Sequence, residues 1–514
     1  MNTKDTTQVE PPPAAPSPET ASAAATPPAT AHRNGQPKPT KSKPATNGPA
    51  RAGAFTTKAE PSETPERVTQ TGGIRIANED ALRAVPLFYY GERGHWFSTD
   101  GRGSFGKIPD SQAKSYLAEY GFNKVVADAQ GNTPAERAVI WLTQNKRVAF
   151  AGALAGYPAG VHESGGIRFL VTESPALITP KPGKCDTISL LIESLLFDPE
   201  APDHQQQITC FYLWASESFA AFFRRIAEGE TDKFRHCPAL AVFGPRGCGK
   251  SALIELVLAP LFGGRKADPM NYLREPKFNK DLFSASLLVL DDKGASANLT
   301  ERRQRGEAIK DLIWKPEQRM EGKGADALNL RPFWRLVIAG NDDESGLQVC
   351  PALSDSLEDK LLILRAQKAD GLPTSNEAND EWAARIRAEL PAFAAYLLAW
   401  RPPEGIALDP RSRVANFWHP QIVSALRELQ PEARLLELID TLDLIGDDAP
   451  LWEGKASEFE QAMRAKDAQG LLDRVFVTGT SAGRMLTELS HSHSARVAKT
   501  DRSGVAHYRI FKGK

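Results

Sequence analysis

The sequence predicts an α/β protein built on a parallel sheet that carries a phosphate-binding loop. Three observations predict it. Ala239-Leu240-Ala241-Val242-Phe243 is an apolar run of strand length that leads into Gly244-x-x-x-x-Gly249-Lys250-Ser251, and Ser251 to Leu258 has helical spacing of leucine and isoleucine. Leu287 to Leu290 is a second buried-strand run and ends in Asp291 and Asp292. Leu336 to Gly340 is a third and ends in Asn341.

Taken in order, the segment 1–73 is Pro, Ala, Thr, Ser and Lys with almost no large apolar groups. It cannot bury enough surface to offset its ordering entropy and is expected to be a disordered tail. Residues 74–185 read as an α+β region. Strands are expected at Leu87–Tyr90, His95–Phe97 and Ser104–Phe105, and helices at Asp110–Tyr120 and Pro134–Gln144, with Trp96 and Phe97 in the core. Nothing there resembles a paired-acid constellation for primer synthesis. Residues 186–235 are mostly helical, and Phe211, Tyr212, Trp214, Phe219, Phe222 and Phe223 read as a face packed between helices. The ATPase-type core is expected over 236–370, and a helical region over 371–465, where Trp382, Ile386, Leu390 and Phe393 keep helical spacing.

The stretch 466–514 has a different pattern. Thr480 or Ser481 is placed to cap a helix running to about Leu489. A hairpin follows, with Ala506, Tyr508 and Ile510 alternating on one face. Helix followed by wing is a winged-helix-like layout. It predicts that Arg484, Arg496, Lys499 and Arg502 face DNA phosphates.

The 514 residues carry a net charge of −1, so any contact with nucleic acid must come from local patches. The five cysteines, Cys185, Cys210, Cys237, Cys248 and Cys350, form no CxxC pair, which excludes a zinc module of ordinary spacing and fits a reducing cytoplasm. His491 and His493 have no further ligand nearby in sequence and read as surface imidazoles. Val148 to Val161 is too short and too rich in Gly and Ala to cross a bilayer, and no membrane contact is expected.

The loop Gly244-Pro245-Arg246-Gly247-Cys248-Gly249-Lys250-Ser251 predicts ATP binding. Its glycines let backbone N–H groups converge on phosphate oxygens at a helix N-terminus. Lys250 is expected on the β- and γ-phosphates and Ser251 on Mg²⁺, with Asp291 as the metal-side acid and Asp292 as the base. Asn341 is expected to contact the γ-phosphate and the attacking water.

The order GPRGCGKS, LLVLDD, QRMEGKGADALNLRPFWRLVIAGND resembles the superfamily-3 helicases, an AAA+ group, in their phage and prophage primase-helicase form. The resemblance covers about Ile74 to the C-terminus, with its specific motifs between Gly244 and Arg365. It implies a hexameric ring that hydrolyses ATP between subunits and translocates on one DNA strand. It also implies a DNA-contacting hairpin between the second and third motifs, for which Gly322-Lys323-Gly324 is the candidate tip. One departure stands out: the family's arginine finger slot, just ahead of a short apolar strand, holds Lys360, with Arg365 beyond the strand. The expected function is an ATP-dependent DNA helicase of phage or mobile-element replication. An ATP-switched origin-binding initiator and a bifunctional primase-helicase remain as alternatives.

Overall fold

The computed structural model describes residues 79–512, except 92–93, 100–102, 124–126, 128, 202, 275–278, 292–294, 297–298, 323–326, 430, 447–448, 477–480 and 503. The expected tail, Asp292, Lys323 and Thr480 lie outside the described residues.

An N-terminal α+β portion opens the described chain. Helix α1 (Glu79–Ala84), strands β1 (Leu87–Tyr90), β2 (His95–Thr99) and β3 (Phe105–Ile108), helices α2 (Asp110–Glu119) and α3 (Pro134–Asn145), and β4 (Arg147–Val148) form it. The sheet order is β3-β2-β1-β4. Leu82, Leu87, Trp96, Leu117 and Leu142 make its core, as the alternation in β1 and β2 requires. Phe97 is partly buried against Tyr90, Val148 and Leu170. Thr133 starts α3 with a reciprocal cap: its hydroxyl accepts from the Glu136 N–H, and its own N–H donates to Glu136 Oε2 at 2.7 Å. A small sheet of β5 (Ala151–Gly152), β6 (Gly160–Ser164) and β7 (Ile167–Val171) follows.

Helices α4 (Asp186–Leu196) and α5 (Gln206–Ala227) then lead to the central sheet. Its strands are β8 (Ala239–Phe243), β9 (Lys266–Ala267), β10 (Leu287–Leu290), β13 (Arg335–Gly340) and β14 (Leu361–Arg365). They lie in the order β14-β8-β13-β10-β9, and every neighbouring pair is parallel. Both faces are covered, so successive side chains enter two different cores. In β8, Leu240 and Val242 join α4, α5 and a later helix, Asn376–Ala399, whereas Ala239, Ala241 and Phe243 join the core on the opposite face. Leu336 and Ile338 against Val337 and Ala339 repeat this alternation in β13. The aromatic face of α5 is buried as its pattern predicts: Phe211, Trp214, Phe219 and Phe222 are all inaccessible.

Between the sheet strands run α6, α7 (Met270–Arg274), α8 (Leu299–Trp314), an antiparallel pair β11 (Gln318–Met320) and β12 (Leu328–Leu330), and α9 (Glu344–Leu347). Helix α6 is continuous from Lys250–Ala252 through a π-helical stretch Leu253–Leu258 to Ala259–Leu261. The wide stretch lies just ahead of Pro260, whose missing N–H interrupts the ordinary ladder. Beyond the sheet come α10 (Asn376–Ala399) and α11 (Pro420–Glu428).

The C-terminal module consists of α12 (Pro431–Thr441), β15 (Leu451–Lys455), α13 (Ala456–Lys466), α14 (Leu472–Val475), α15 (Ala482–Ser492), β16 (Val497–Arg502) and β17 (Val505–Phe511). Its sheet is antiparallel in the order β15-β17-β16, with Trp452 opposite Ile510. One core joins Leu435 and Ile439 of α12 to Phe459, Met485, Tyr508 and Ile510. The compact module thus takes in α12, β15 and α13, which the sequence pattern assigns to the helical region ending at 465. One of the two partners of β17, β15, lies more than forty residues earlier, where no local pattern announces it. Ser481 caps α15, its hydroxyl accepting from the Arg484 N–H at 3.3 Å.

Candidate functional site: a cleft at the carboxyl ends of the parallel strands

A parallel sheet gathers its βα loops at one end, and ligands bind there where the strand order reverses. Here the chain passes from β8 to the edge strand β9 on one side and returns to β14 on the other, so the loop after β8 sits at that crevice. Gly247 and Gly249 take φ of 73° and 117°, conformations costly for a side-chain-bearing residue. A Cβ at Gly244 would stand 2.3 Å from the Ala366 carbonyl oxygen, so this position requires the smallest residue. The loop is pinned from the chain after β14: the Ala366 N–H donates to Phe243 O and the Ala369 N–H to Cys248 O at 2.9 Å.

Lys250 opens α6 and folds back over the loop. Its Nζ donates to Gly244 O at 2.7 Å, to Pro245 O at 2.9 Å and to Asn341 Oδ1 at 3.4 Å. Cys248 Sγ lies 3.6 Å from the same ammonium, and its side chain is buried. A cleft of about 640 Å³ is lined by Arg246 to Ser251, Asp291 and Asn341 on one side and by Leu372, Pro373, Asn379 and Trp382 on the other. Asp291 and Ser251 are exposed in it.

In the sheet, β13 lies between β8 and β10. Asn341 therefore follows the strand adjacent to the loop and reaches Lys250, whereas Asp291 approaches from one strand further away. Asp343 starts α9 immediately afterwards. Its Oδ1 accepts from Ser345 Oγ at 2.6 Å and from the Gly346 N–H at 2.8 Å, and these bonds hold its carboxyl below the usual carboxylate range.

Lys360 and Arg365 lie at opposite ends of β14. Arg365 pairs in register with Phe243 at the loop end, and its guanidinium donates to Glu200 Oε2 at 3.2 Å. Lys360 precedes the strand at the far end. It forms an ion pair with Asp359 at 2.5 Å and lies 5.0 Å from the centre of the Trp314 ring. Burial pushes the Asp359 carboxyl up, but the bonds and charges of Lys360 and Arg411 outweigh it and leave the group below its ordinary range.

Of the four C-terminal cations, Arg484 and Lys499 are exposed. Arg496 is bound to Asp440 at 2.7 Å and Arg502 to Glu453 at 2.7 Å. The far wall of the cleft is not foreseen from the sequence. Trp382 belongs to the core, as its spacing predicts, but Asn379 stands one turn earlier and lines the cleft with it. A polar residue three positions before a core aromatic, at the start of a helix, is the signal that could have found it.

For a nucleoside triphosphate with Mg²⁺, the donor set fits: loop N–H groups at a helix start, one ammonium, a serine hydroxyl and a carboxylate in one cleft. Mg²⁺ is held through one or two carboxylates plus phosphate and water, so the absence of a cluster of three or more ligating side chains among the described residues is compatible with it.

Residues 242–351 match a family described as a family of unknown function (DUF5906). No curated protein matches the chain. Among solved structures, the chain is similar to the apo C-terminal region of NrS-1, at 14% identity over 85% of this chain and 99% of that one, with a TM-score of 0.48. An A-form apo structure of the same region gives 14% identity, coverages of 83% and 96%, and a TM-score of 0.46. A JCV helicase bound to a thiazolopyridine compound gives 16% identity over 48% of this chain and 66% of that one, with a TM-score of 0.25. No helix among the described residues is long and apolar enough to cross a membrane.

Proposed function

We propose that this chain is an ATP-hydrolysing DNA helicase of the superfamily-3 type that works as a ring, with hexamer the expected form, in the cytoplasm of a cell carrying phage or mobile-element DNA. One observation carries the reading: Lys250 and Ser251, Asp291, and Asn341, from three separate segments of the chain, line a single cleft at the loop end of the sheet.

In that reading Lys250 exchanges its bonds to the Gly244 and Pro245 carbonyls for phosphate oxygens. The loop N–H groups and the start of α6 supply further positive potential. Ser251 and Asp291 would hold Mg²⁺, which when bound would supply positive charge at the phosphates. Asn341 hydrogen-bonds the attacking water, and Asp292 accepts its proton. In the same reading the elements from α12 to β17 act as a winged-helix-like module that meets duplex DNA.

A second reading, an ATP-switched initiator, is favoured by one contact set. Arg303 of α8 binds Glu432 of α12 at 2.8 Å, and Glu344 of α9 binds Arg434 of α12 at 2.8 Å. These pairs tie the C-terminal module to the helices that follow the Asp291 and Asn341 strands. Strand displacement on a forked duplex separates the two. A helicase releases the labelled strand in an ATP-dependent manner, whereas an initiator binds the duplex and releases nothing. ATPase activity indifferent to added single-stranded DNA, with no displacement, overturns the helicase reading.

A further inference from the structure

At the opposite end of the sheet from the cleft, near the starts of β8 and β13, two arginines are buried: Arg225 is 3% and Arg335 6% exposed. Arg225 Nε donates to Gly156 O at 2.8 Å, its amino groups reach the Lys233 and Arg331 carbonyls, and its guanidinium lies 5.1 Å from the Tyr157 ring centre. Arg335 Nε donates to Ser218 Oγ at 2.9 Å, another nitrogen donates to Trp334 O at 2.8 Å, and the group stacks over Phe333 at 4.2 Å. Among the described residues no carboxylate forms an ion pair with either. Burial pushes both below the usual arginine range, Arg225 to about 10, and the charge of Arg335 lowers Arg225 further. Two charges thus leave water with carbonyl and hydroxyl dipoles and ring faces as their direct partners, while Asp232 and Glu217 act on them from beyond ion-pair distance, a costly arrangement.

Both arginines line one small, partly open space of about 20 Å³, together with Arg224, Lys233, Arg235 and Lys315. Glu230 is the one acid among these described lining residues, and it is committed to Lys233 and, at 3.9 Å, to Arg224. Lys315 pairs with Asp311 at 2.6 Å, while Arg235 is exposed. Six cations line the space against one lining acid, and with Glu230 and Asp311 committed to Arg224, Lys233 and Lys315, the cations without an ion-pair partner among the described residues are Arg225, Arg235 and Arg335. The space holds about one water-sized atom, so what fits is an oxygen of an oxyanion presented from outside. A polyanion engages the inner guanidiniums and the cations of the mouth together, whereas a lone carboxylate leaves the mouth unused. The pocket also lies at the foot of the β11–β12 pair, since Lys315 stands just before Gln318 and Pro332 just after Leu330.

We infer that this arginine pocket receives a backbone phosphate of a nucleic-acid strand passing the foot of the β11–β12 pair. The inference rests on the nucleic-acid reading above.

The test is fluorescence anisotropy of a labelled oligothymidylate with the full chain, titrated at several KCl concentrations. Arg235→Glu and the double variant Arg224→Ala/Arg235→Ala are compared with the native chain, and thermal melting reports that they fold. The expected result is about tenfold weaker binding and a log–log salt slope reduced by about 0.7 for each phosphate that is no longer neutralised. Arg235→Lys keeps the native slope. Folded variants with native affinity and native slope overturn the pocket while leaving the helicase reading intact. A native chain that binds no single strand overturns both. Inorganic phosphate supplies the other arm: if it raises the melting temperature of the native chain but not of Arg235→Glu, and oligothymidylate binding is unchanged by the variant, the site takes free phosphate and the nucleic-acid assignment falls. Native behaviour of the variants in both arms leaves a protein carboxylate as the occupant and equally overturns it.

Discussion

Lys250 and Arg502 are both cations that the sequence assigns to phosphate, yet their surroundings differ. Lys250 at the loop end of the sheet is held by carbonyl oxygens and an amide, and among the described residues no carboxylate pairs with it. Arg502 in the C-terminal module is bound to Glu453, which also binds Arg509 at 2.9 Å. The first charge is compensated by dipoles alone, which a phosphate can replace with gain. The second is already neutralised, and a phosphate must compete for it. A cation's worth as a ligand contact depends on what its own chain has left it.

The largest expected effect tests the dipole-held side of this contrast. Lys250→Ala removes the ammonium over the loop while leaving the sheet packing untouched, so steady-state phosphate release should fall to background, by about 10³-fold or more. Turnover near the native value breaks the assignment of the cleft.

The next test concerns the two ends of β14. A cation reaching a neighbour's γ-phosphate is worth about 10³-fold in turnover. Its loss is complemented when subunits are mixed, because site and finger then come from different chains. We expect ATPase activity to reappear on mixing Lys360→Ala with Lys250→Ala protein. Recovery confined to the Arg365→Ala mixture moves the finger to the loop end of the strand. No recovery in assembled mixtures removes the finger in trans and strengthens the switch reading.

These experiments probe what is legible in the sequence. The turn from β8 into α6 and the strand-end positions of Asp291 and Asn341 are readable because an apolar strand, a glycine-rich turn and a helix start follow one another with strictly local spacing. So are β1, β2, α3 and the buried face of α5, where alternation or helical periodicity is dictated by the core each lies on. Pairing across long separations is not readable. Nothing local announces that β13 enters between β8 and β10, that β15 pairs with β17, or that Lys360 lies over the Trp314 ring. The clearest case is Asp198 with His419, 221 residues apart, whose side chains meet at 2.6 Å in the interior.

That pair gives a prediction of intermediate size. Burial pushes the Asp198 carboxyl up, but the bond from His419 and the Glu200 N–H prevail and hold it below its ordinary 3.8. A depressed carboxyl contributes stability that is full above 3.8 and lost as pH falls through the lower folded value. Asp198→Asn should cost about 3 kcal/mol in urea unfolding near neutral pH. The gap from the native chain should close as both are acidified below 3.8. A gap that is constant with pH shows that the carboxylate's charge contributes nothing.

The smallest expected effect returns to the C-terminal module and sharpens the opening contrast. Arg484 follows Ser481 in the first turn of α15 and is exposed, as is Lys499 on β16, whereas Arg496 and Arg502 are bound to Asp440 and Glu453. If module and duplex meet through α15 and the β16–β17 hairpin, the exposed cations should carry the contact. Arg484→Ala and Lys499→Ala should each weaken duplex binding a few-fold and reduce the log–log salt slope by about 0.9, the value for one phosphate on B-form DNA. Arg502→Ala should leave the slope within error of native, and an exposed pair of this kind should cost no more than about 1 kcal/mol of stability. The measurement is duplex affinity of the full chain across a KCl series, with urea unfolding run in parallel. Equal slope changes for Arg484, Lys499 and Arg502 mean that Glu453 releases Arg502 to DNA, and internal pairing then no longer predicts which cations bind. No slope change in any of them removes the module from the DNA contact and leaves its ties to α8 and α9 as its remaining connection to the cleft at the loop end of the sheet.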